Sequence, residues 1–263
     1  MGSYDKQYLA IVEKIMNEGY MAENRTANRA IKVPHVVMSF DLEEEFPILT
    51  TKKTFLRLLT EEMLWIYRDM SNDVAMLQEK GVTIWDEWVK EDGTIGTSYG
   101  WVVKEYDQVN QLLHTLRTNP QDRAMMLNLW QIKHIAGGSL RPCAFFSMFD
   151  VTDGRLNCML VQRSGDIPLG VPFNTSQYAI LTHMLAQVTG LRVGILTHVI
   201  NNAHIYENQL EGMKEHLSRK GTDFPAPKLE LNPDVKNFFD FQASDVKLVN
   251  YQCHSAINMP VSV

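Results

Sequence analysis

The sequence predicts an α+β fold in which helices pack on a large mixed or antiparallel β-sheet. Helical and extended patterns follow one another along the 263 residues without a regular strand–helix–strand rhythm, which argues against a doubly wound parallel sheet. Amphipathic periodicity dominates the first half, and short apolar runs separated by turn residues dominate the second. No low-complexity linker or internal repeat interrupts the chain, so we expect one continuous domain over residues 1–263.

Four segments have the apolar spacing that is typical of helices. Residues 5–19 place apolar side chains on one face and stop at a glycine, and residues 54–70 carry the strongest amphipathic pattern of the first half. Residues 106–120 predict a helix that ends at an Asn-Pro pair. Residues 175–190 are nearly all apolar and stop at Gly190, which indicates a buried helix.

Extended patterns account for most of the remaining chain. Residues 32–42 are rich in β-branched side chains, and "AMMLNLWQI", "CAFFSMFDV" and "RLNCMLVQRS" are short apolar runs. The Asp-Gly pair in "FDVTDGRLN" predicts a hairpin between the last two runs. "LRVGILTHVINNAHIY" predicts another strand, and the tail from residue 246 is expected to be extended.

Composition excludes several classes of protein. Hydrophobic residues make up 45% and the net charge is −6, so an extended nucleic-acid site is not expected, although a local basic pocket could hold one phosphate. No apolar run reaches the roughly 18 residues of a membrane span, and no secretory pattern occurs, so we expect a reducing, cytoplasmic setting. Three cysteines and eight histidines match no zinc or disulfide spacing, and no metal is expected.

Cys143 is the cysteine with the most suggestive neighbours. It follows Pro142 in "SLRPCAFFSMFD", and Arg163 falls on the strand that the hairpin should pair with it. Free cysteines are usually buried apolar residues, which remains one interpretation of Cys143 and the only one for Cys158 and Cys253. A nearby arginine stabilises a thiolate, so the alternative is a nucleophile at a strand end.

A polar cluster occupies "QRSGDIPLGVPFN". Gln162, Arg163, Ser164 and Asp166 precede a loop with two prolines, and Asn174 closes the segment. Asn174 or the next residue could simply cap the buried helix that we expect to start there. Polar side chains against apolar strands also predict a pocket for a polar ligand, and an asparagine can both donate to and accept from a pyrimidine edge.

Three further positions allow both a structural and a functional interpretation. His204 and Tyr206 share one side of a predicted strand and could hold a sugar hydroxyl. The tryptophans of "TIWDEW" are either core residues or a stacking wall for a flat ligand. Glu62 lies in an otherwise apolar helix, where its carboxylate is either solvated or poised with a raised pKa.

These motifs together resemble the thymidylate synthase family, the folate-dependent enzymes with a cysteine nucleophile. The resemblance covers nearly the whole chain and is most specific in "QRSGD" followed by "LGVPFN". It also includes the following segments in the family's order: "FPILTTKK", "EEMLW", "TIWDEW", "LTHMLAQVTGL", "HIY" and the terminal "PVSV".

The resemblance implies a reaction, a co-substrate and a set of roles. The enzymes of this family transfer a one-carbon unit from 5,10-methylenetetrahydrofolate to C5 of dUMP through a covalent cysteine–C6 intermediate. The catalytic residues implied here are Cys143, Glu62, Asn174, Asp166 and Tyr99. Those implied for the nucleotide are Arg25, Arg123, Arg163, Ser164, Gln162, Asn174, His204 and Tyr206. Those implied for folate are Lys52, Ile84, Trp85, Trp88, Leu140, Asp166, Gly170, Phe173 and Val263.

The resemblance also implies a homodimer in which each site borrows Arg123 from the partner subunit. Four positions depart from the family pattern. The phosphate loop reads "RTANRA" without glycines, and Ala124 stands where a second arginine is usual. Ala144 replaces the histidine after the nucleophile, and Gly165 replaces a common cysteine.

Three activities remain open from the sequence. The first is thymidylate synthesis, and the second is 5-hydroxymethylation of dUMP or another pyrimidine nucleotide, in which water captures the methylene intermediate. The third is nucleotide or partner binding without turnover. Asn174 favours uracil, because cytosine-specific relatives generally carry aspartate there, and the retained Trp85 favours methylation. The sequence leaves open whether the sugar is ribose or deoxyribose.

Overall fold

One long strand in the second half of the chain organises the fold. The computed structural model describes residues 2–24 and 27–262, and this part contains seven α-helices and nine β-strands. The helices are α1 (Ser3–Glu18), α2 (Leu56–Tyr67), α3 (Ala75–Gln78), α4 (Gly100–Glu105), α5 (Gln108–Thr118), α6 (Gly170–Thr189) and α7 (Leu210–Ser218). The strands are β1 (Tyr20–Ala22), β2 (Ala30–Asp41), β3 (Met126–Asn128), β4 (Ala144–Thr152), β5 (Arg155–Gln162), β6 (Gly165–Asp166), β7 (Arg192–Tyr206), β8 (Lys228–Leu231) and β9 (Val246–Val249).

The main sheet confirms the predicted α+β class. Its strands run in the order β1-β2-β7-β5-β4-β3, and β6 pairs with β7 beyond the end of β5. The β5–β7 and β6–β7 pairs are parallel and the other pairs are antiparallel, so the sheet is mixed. The small β8–β9 sheet and the short helices α3, α4 and α7 were not expected from the sequence.

The predicted hairpin joins β4 to β5. Asp153 and Gly154 form its turn with φ values of 52° and 68°, and a two-residue turn with both residues at positive φ matches the twist of the flanking strands. The register pairs Ala144 with Gln162 at the open end of the hairpin. The residues that flank this open end, before Ala144 and after Gln162, are therefore neighbours.

Helix α6 begins earlier than the sequence suggested. It starts at Gly170, so the expectation that Asn174 or Thr175 caps it was wrong. Pro172 is tolerated because the first turn of a helix needs no N–H from that residue. The Asp166 carboxylate accepts a hydrogen bond from the Leu169 N–H just before the helix, and Asn174 lies inside the helix.

One face of the main sheet is covered and the other is open. Helices α1 and α6 bury the first face. The second face presents apolar side chains that are exposed, among them Val37, Met148 and Met159. No helix within the described residues is long and apolar enough to cross a membrane.

A prediction concerns Gly165 in β6. A Cβ atom at this position would lie 2.8 Å from Ile200 Cγ2 and 2.9 Å from Val171 Cγ2. We expect Gly165→Ala to lower the free energy of unfolding by about 1–3 kcal/mol in urea titrations, because the core is overpacked there. On an Ile200→Ala background the same change should cost less, and an equal cost in both backgrounds would contradict the proposed clash.

Candidate active site

A cavity of about 510 Å³ opens where β2 and β7 meet the loop between β5 and α6. It gathers most of the residues that the sequence singled out: Glu62, Ile84, Trp88, Leu140, Cys143, Arg163, Ser164, Asp166, Gly170, Phe173, Asn174, His204 and Tyr206. The lining combines apolar side chains with charged and amide groups, which suits a ligand that is part flat and part polar.

Cys143 stands immediately before β4 at the open end of the hairpin. Its carbonyl accepts the Arg163 N–H at 2.9 Å, and its own N–H donates to the Tyr99 hydroxyl at 3.2 Å. Tyr99 has a positive φ of 46°, which is rare for a tyrosine and is often found at functional sites. The thiol is thus held by backbone contacts and is partly exposed to the cavity.

Arg163 brings a positive charge to the thiol. Its Nη2 lies 3.7 Å from the Cys143 Sγ and donates to the Arg141 carbonyl at 2.7 Å, while its Nε donates to the Pro142 carbonyl at 2.9 Å. The guanidinium also lies 5.7 Å from the centre of the Trp130 ring. A guanidinium fixed in this way stabilises the thiolate form of the cysteine.

Glu62 reaches the cavity from α2. Its carboxylate accepts the Trp85 Nε1–H at 2.8 Å and the Gln177 Nε2–H at 2.5 Å. Burial raises the pKa of Glu62 to about 7, and these two donors only partly oppose the shift. Trp85 therefore lies behind the carboxylate, where its ring packs edge-on against Tyr99, and it does not line the main cavity.

Asn174 points its amide into the cavity from the second turn of α6. Its Oδ1 accepts from Gln162 Nε2 at 3.0 Å, and its Nδ2 lies 3.3 Å from Gln177 Oε1. Gln162 is buried behind the cavity. A second cavity of about 40 Å³, bordered by Ala144, Asn174 and Glu62, has room for at least one water molecule.

Asp166 lines the cavity, and Lys52 lies close to Asp166. Burial raises the pKa of Asp166 to about 6, against the hydrogen bonds from Leu169 and Gln209. Lys52 is buried outside the cavity, where its Nζ donates to the Pro168 carbonyl at 2.5 Å. Burial lowers the pKa of Lys52 to about 8, which the nearby Asp166 opposes.

His204 and Tyr206 occupy the end of β7. Their rings meet edge to face with centroids 5.0 Å apart, and the Nδ1 of His204 lies 3.1 Å from Asn202 Oδ1. Burial lowers the pKa of His204 to about 4, so the ring is neutral at physiological pH. Neutral imidazole and phenol groups are suited to hydrogen bonds with a hydroxyl.

Some expected residues fall elsewhere. Arg25 and Val263 lie outside the described residues. Arg123 is exposed on the segment between α5 and β3 and does not line the cavity of its own chain. Its expected place in a partner's site stays a prediction.

The structure adds residues that the sequence did not reveal. Lys32, Asn202 and Ser262 line the cavity, together with Glu23 and Asn24. The strand register explains the first of these, because Lys32 pairs with His204 across β2 and β7. Only knowledge of which strands pair could have identified it. Among residues 2–24 and 27–262, no group of three or more His, Cys, Asp or Glu side chains is arranged to hold a metal ion.

Comparisons with known proteins agree with this geometry. The family model described as thymidylate synthase matches residues 6–263. A curated thymidylate synthase from Clostridium beijerinckii is 58% identical over 263 residues, which is the full length of both chains. The solved thermostable thymidylate synthase A from Bacillus subtilis matches with a TM-score of 0.94 at 37% identity and covers 99% of each chain.

The match extends from α1 to the C-terminal segment, so it includes every wall of the cavity. The fold and the cavity residues Cys143, Arg163 and Asn174 thus agree with the sequence similarity over the full length of the chain. This chain belongs to the thymidylate synthase family.

Proposed function

We propose that this protein converts dUMP and 5,10-methylenetetrahydrofolate into dTMP and dihydrofolate. The observation that carries the proposal is the Cys143 thiol, 3.7 Å from the Arg163 guanidinium in a cavity that Glu62 and Asn174 also line. The full-length match to a thymidylate synthase at 58% identity supports methylation over hydroxymethylation.

The nucleophile starts the reaction. The Cys143 thiolate adds to C6 of uracil, and the electron pair of the C5–C6 bond moves towards O4, so that C5 becomes an enolate-like carbon. The Asn174 amide stabilises the charge that develops at O4 because it is already oriented by two glutamines. The folate supplies a one-carbon unit to C5 and later a hydride to that carbon, after which Cys143 leaves from C6.

Glu62 is proposed to accept and donate protons during these steps. A carboxyl group with a pKa of about 7 can exchange a proton near neutral pH at little cost. Its position beside the small cavity behind Ala144 lets it act through a water molecule. We assign the removal of the C5 proton to the group formed by Glu62, Tyr99 and such a water.

The remaining roles are assigned from the family resemblance and from which residues line the cavity. Arg163 and Ser164, which line it, are proposed to bind the nucleotide phosphate together with Arg25, and His204 and Tyr206, which also line it, are proposed to bind the sugar. The flat rings of folate are proposed to pack against apolar residues that line the cavity, namely Ile84, Trp88, Leu140, Gly170 and Phe173. The family resemblance also assigns Lys52, Asp166, Trp85 and Val263 to the folate site. Asp166 lines the cavity, whereas Lys52 and Trp85 lie outside it and would act indirectly.

We further propose a homodimer that buries the open face of the sheet. Exposed Val37, Met148 and Met159 on that face are apolar, as a stable subunit interface requires. In this arrangement Arg123 reaches the phosphate of the partner's site, which would account for its absence from the cavity of its own chain.

Product analysis tests the reaction. With dUMP and methylenetetrahydrofolate we expect a nucleotide one methyl group heavier and an equal amount of dihydrofolate, measured by mass and absorbance. A hydroxymethyl product without dihydrofolate would refute methylation. 5-Fluoro-dUMP together with methylenetetrahydrofolate should form a lasting covalent adduct with the wild type and with Cys253→Ser, because fluorine at C5 cannot leave as a proton once the one-carbon unit has added there. Cys143→Ser should form no adduct, because it lacks the thiol that adds to C6.

The raised pKa of Glu62 gives a prediction on pH dependence. Between the ordinary value of 4.5 and about 7, the folded state keeps a proton that the unfolded state has released. The free energy of unfolding therefore falls as pH rises through this window. Glu62→Gln should remove this part of the slope and lower kcat by about 10²–10⁴-fold.

Glu61→Gln is the matched control, because Glu61 neighbours Glu62 on α2 but pairs with Lys80 away from the cavity. Chemical denaturation at several pH values should give the wild-type slope for this control. The slope of the free energy of unfolding against pH should be compared between the two variants. The slope of a single variant is not informative, because several buried histidines contribute a slope of opposite sign. Identical slopes for both variants would refute the role of buried Glu62.

The shared site is tested with Arg123→Ala. Calorimetry should show weaker dUMP binding without a change in fold, and exposed Arg117→Ala should bind normally. Mixing Arg123→Ala with Cys143→Ala subunits should restore about a quarter of wild-type activity, because half of the dimers are mixed and each mixed dimer has one complete site. No recovery after subunit exchange would exclude an arginine contributed by the partner.

A further inference from the structure

A row of hydrogen-bonded polar side chains runs through the core from α1 to the active-site cavity. Most of its members are almost fully buried, and within the row only Asn174 and Glu62 line the main cavity. In order, the row consists of Tyr4, Thr175, His198, Gln162, Asn174, Gln177 and Glu62.

The direction of this row is fixed at Gln162. Its Nε2 lies 2.9 Å from the Ser164 carbonyl, which can only accept, so the amide nitrogen must point there. The same nitrogen donates to Asn174 Oδ1. Gln162 Oε1 therefore faces His198 Nε2 at 2.8 Å and must accept a hydrogen bond from it.

This assignment determines the state of the His198 ring. Nε2 carries the proton, so Nδ1 can only accept, and it lies 3.0 Å from the Thr175 hydroxyl oxygen. The single hydroxyl hydrogen of Thr175 is shared between this nitrogen and the Val171 carbonyl at 2.8 Å, and the Thr175 oxygen accepts from the Tyr4 hydroxyl at 3.1 Å. A neutral ring is required, and burial lowers the pKa of His198 to about 3.

The Leu59 carbonyl fixes the orientation of the Gln177 amide near the other end of the row. Gln177 Nε2 lies 3.1 Å from the Leu59 carbonyl and 2.5 Å from Glu62 Oε2, and both partners accept. Gln177 Oε1 is left to accept from Asn174 Nδ2. Each amide in the row thus donates in the same direction, towards the Glu62 carboxylate.

Asn174 is consequently held in one of its two amide orientations. A flip would place its nitrogen against Gln162 Nε2 and its oxygen against Gln177 Oε1, which breaks both hydrogen bonds. In the observed orientation one N–H and one oxygen lone pair remain for a ligand. Uracil offers an acceptor at O4 and a donor at N3, whereas cytosine offers a donor at C4 and an acceptor at N3.

We propose that His198 and Gln177 are positioning residues that select uracil over cytosine by preventing this flip. The proposal rests on the proposed function, because it takes Asn174 to be the group that contacts the base. His198 acts on the Asn174 amide indirectly, through Gln162. Gln177 binds the Asn174 amide directly and also links it to the Glu62 carboxylate.

Calorimetric binding of dUMP and dCMP tests base selection without requiring turnover. In His198→Phe we expect the dUMP-to-dCMP affinity ratio to fall about 3–10-fold, the equivalent of one net hydrogen bond. His198→Gln, whose amide can donate from nearly the same place, should keep the wild-type ratio. Asn174→Asp should favour dCMP and calibrates the assay. Gln177→Leu gives an independent variant if His198→Phe does not fold.

The outcomes separate the two proposals. Equal weakening of both nucleotides in His198→Phe and Gln177→Leu, with an unchanged ratio, would overturn the positioning role even if the wild type makes dTMP. If the dUMP-to-dCMP affinity ratio falls in these variants but the wild type makes no dTMP, only the proposed reaction is overturned. Nitrogen-15 spectra of labelled histidine, assigned with His198→Gln, should show the Nε2–H tautomer, and an Nδ1–H tautomer would contradict the direction of the row.

Discussion

The hydrogen bond from the Arg163 N–H to the Cys143 carbonyl closes the open end of the β4–β5 hairpin, and the rest of the site is built around it. It continues the strand pairing by one step beyond Ala144 and Gln162. The arginine can then reach back along the approach to Cys143 and bind its two preceding carbonyls. A thiol and a cation thus come together through backbone pairing, which is less sensitive to side-chain motion than a contact between two long side chains would be.

Burial in this site acts on the charges in a consistent way. It raises the pKa values of Glu62 and Asp166 and lowers that of His204, so each group is more easily neutral than it would be in water. The Arg163 guanidinium is a fixed positive charge 3.7 Å from the Cys143 thiol. An anionic substrate therefore meets the positive charge of Arg163, while Glu62 and Asp166 carry less negative charge near neutral pH than they would in water.

Local patterns predicted the parts of the molecule that local interactions determine. The Asp153-Gly154 turn, the end of α6 at Gly190 and the proximity of Cys143 to Arg163 all followed from turn chemistry and strand pairing. The start of α6 did not, because the helix begins at Gly170, before Pro172, with Leu169 at its N-cap and no side chain capping it.

The same limit applied to the site. Lys32 needed the β2–β7 register, and His198 and Gln177 looked like ordinary polar residues in a strand and a helix. The departures from the family pattern gain physical meaning only in the fold. Gly165 has no room for a side chain beside Ile200, and Ala144 borders a small cavity that a larger residue would fill.

The pairing of β2 with β7 has a consequence for how the chain is made. Ala30 pairs with Tyr206, so these strands are separated by most of the sequence. During synthesis the apolar β2 emerges long before its partner, and its backbone edge stays unsatisfied until β7 leaves the ribosome. Pairs so distant in sequence also close slowly. The nucleotide cavity is therefore completed late in folding, because its walls include both strands. An incomplete nascent chain has no active site and exposes an unpaired strand edge that can pair with another chain.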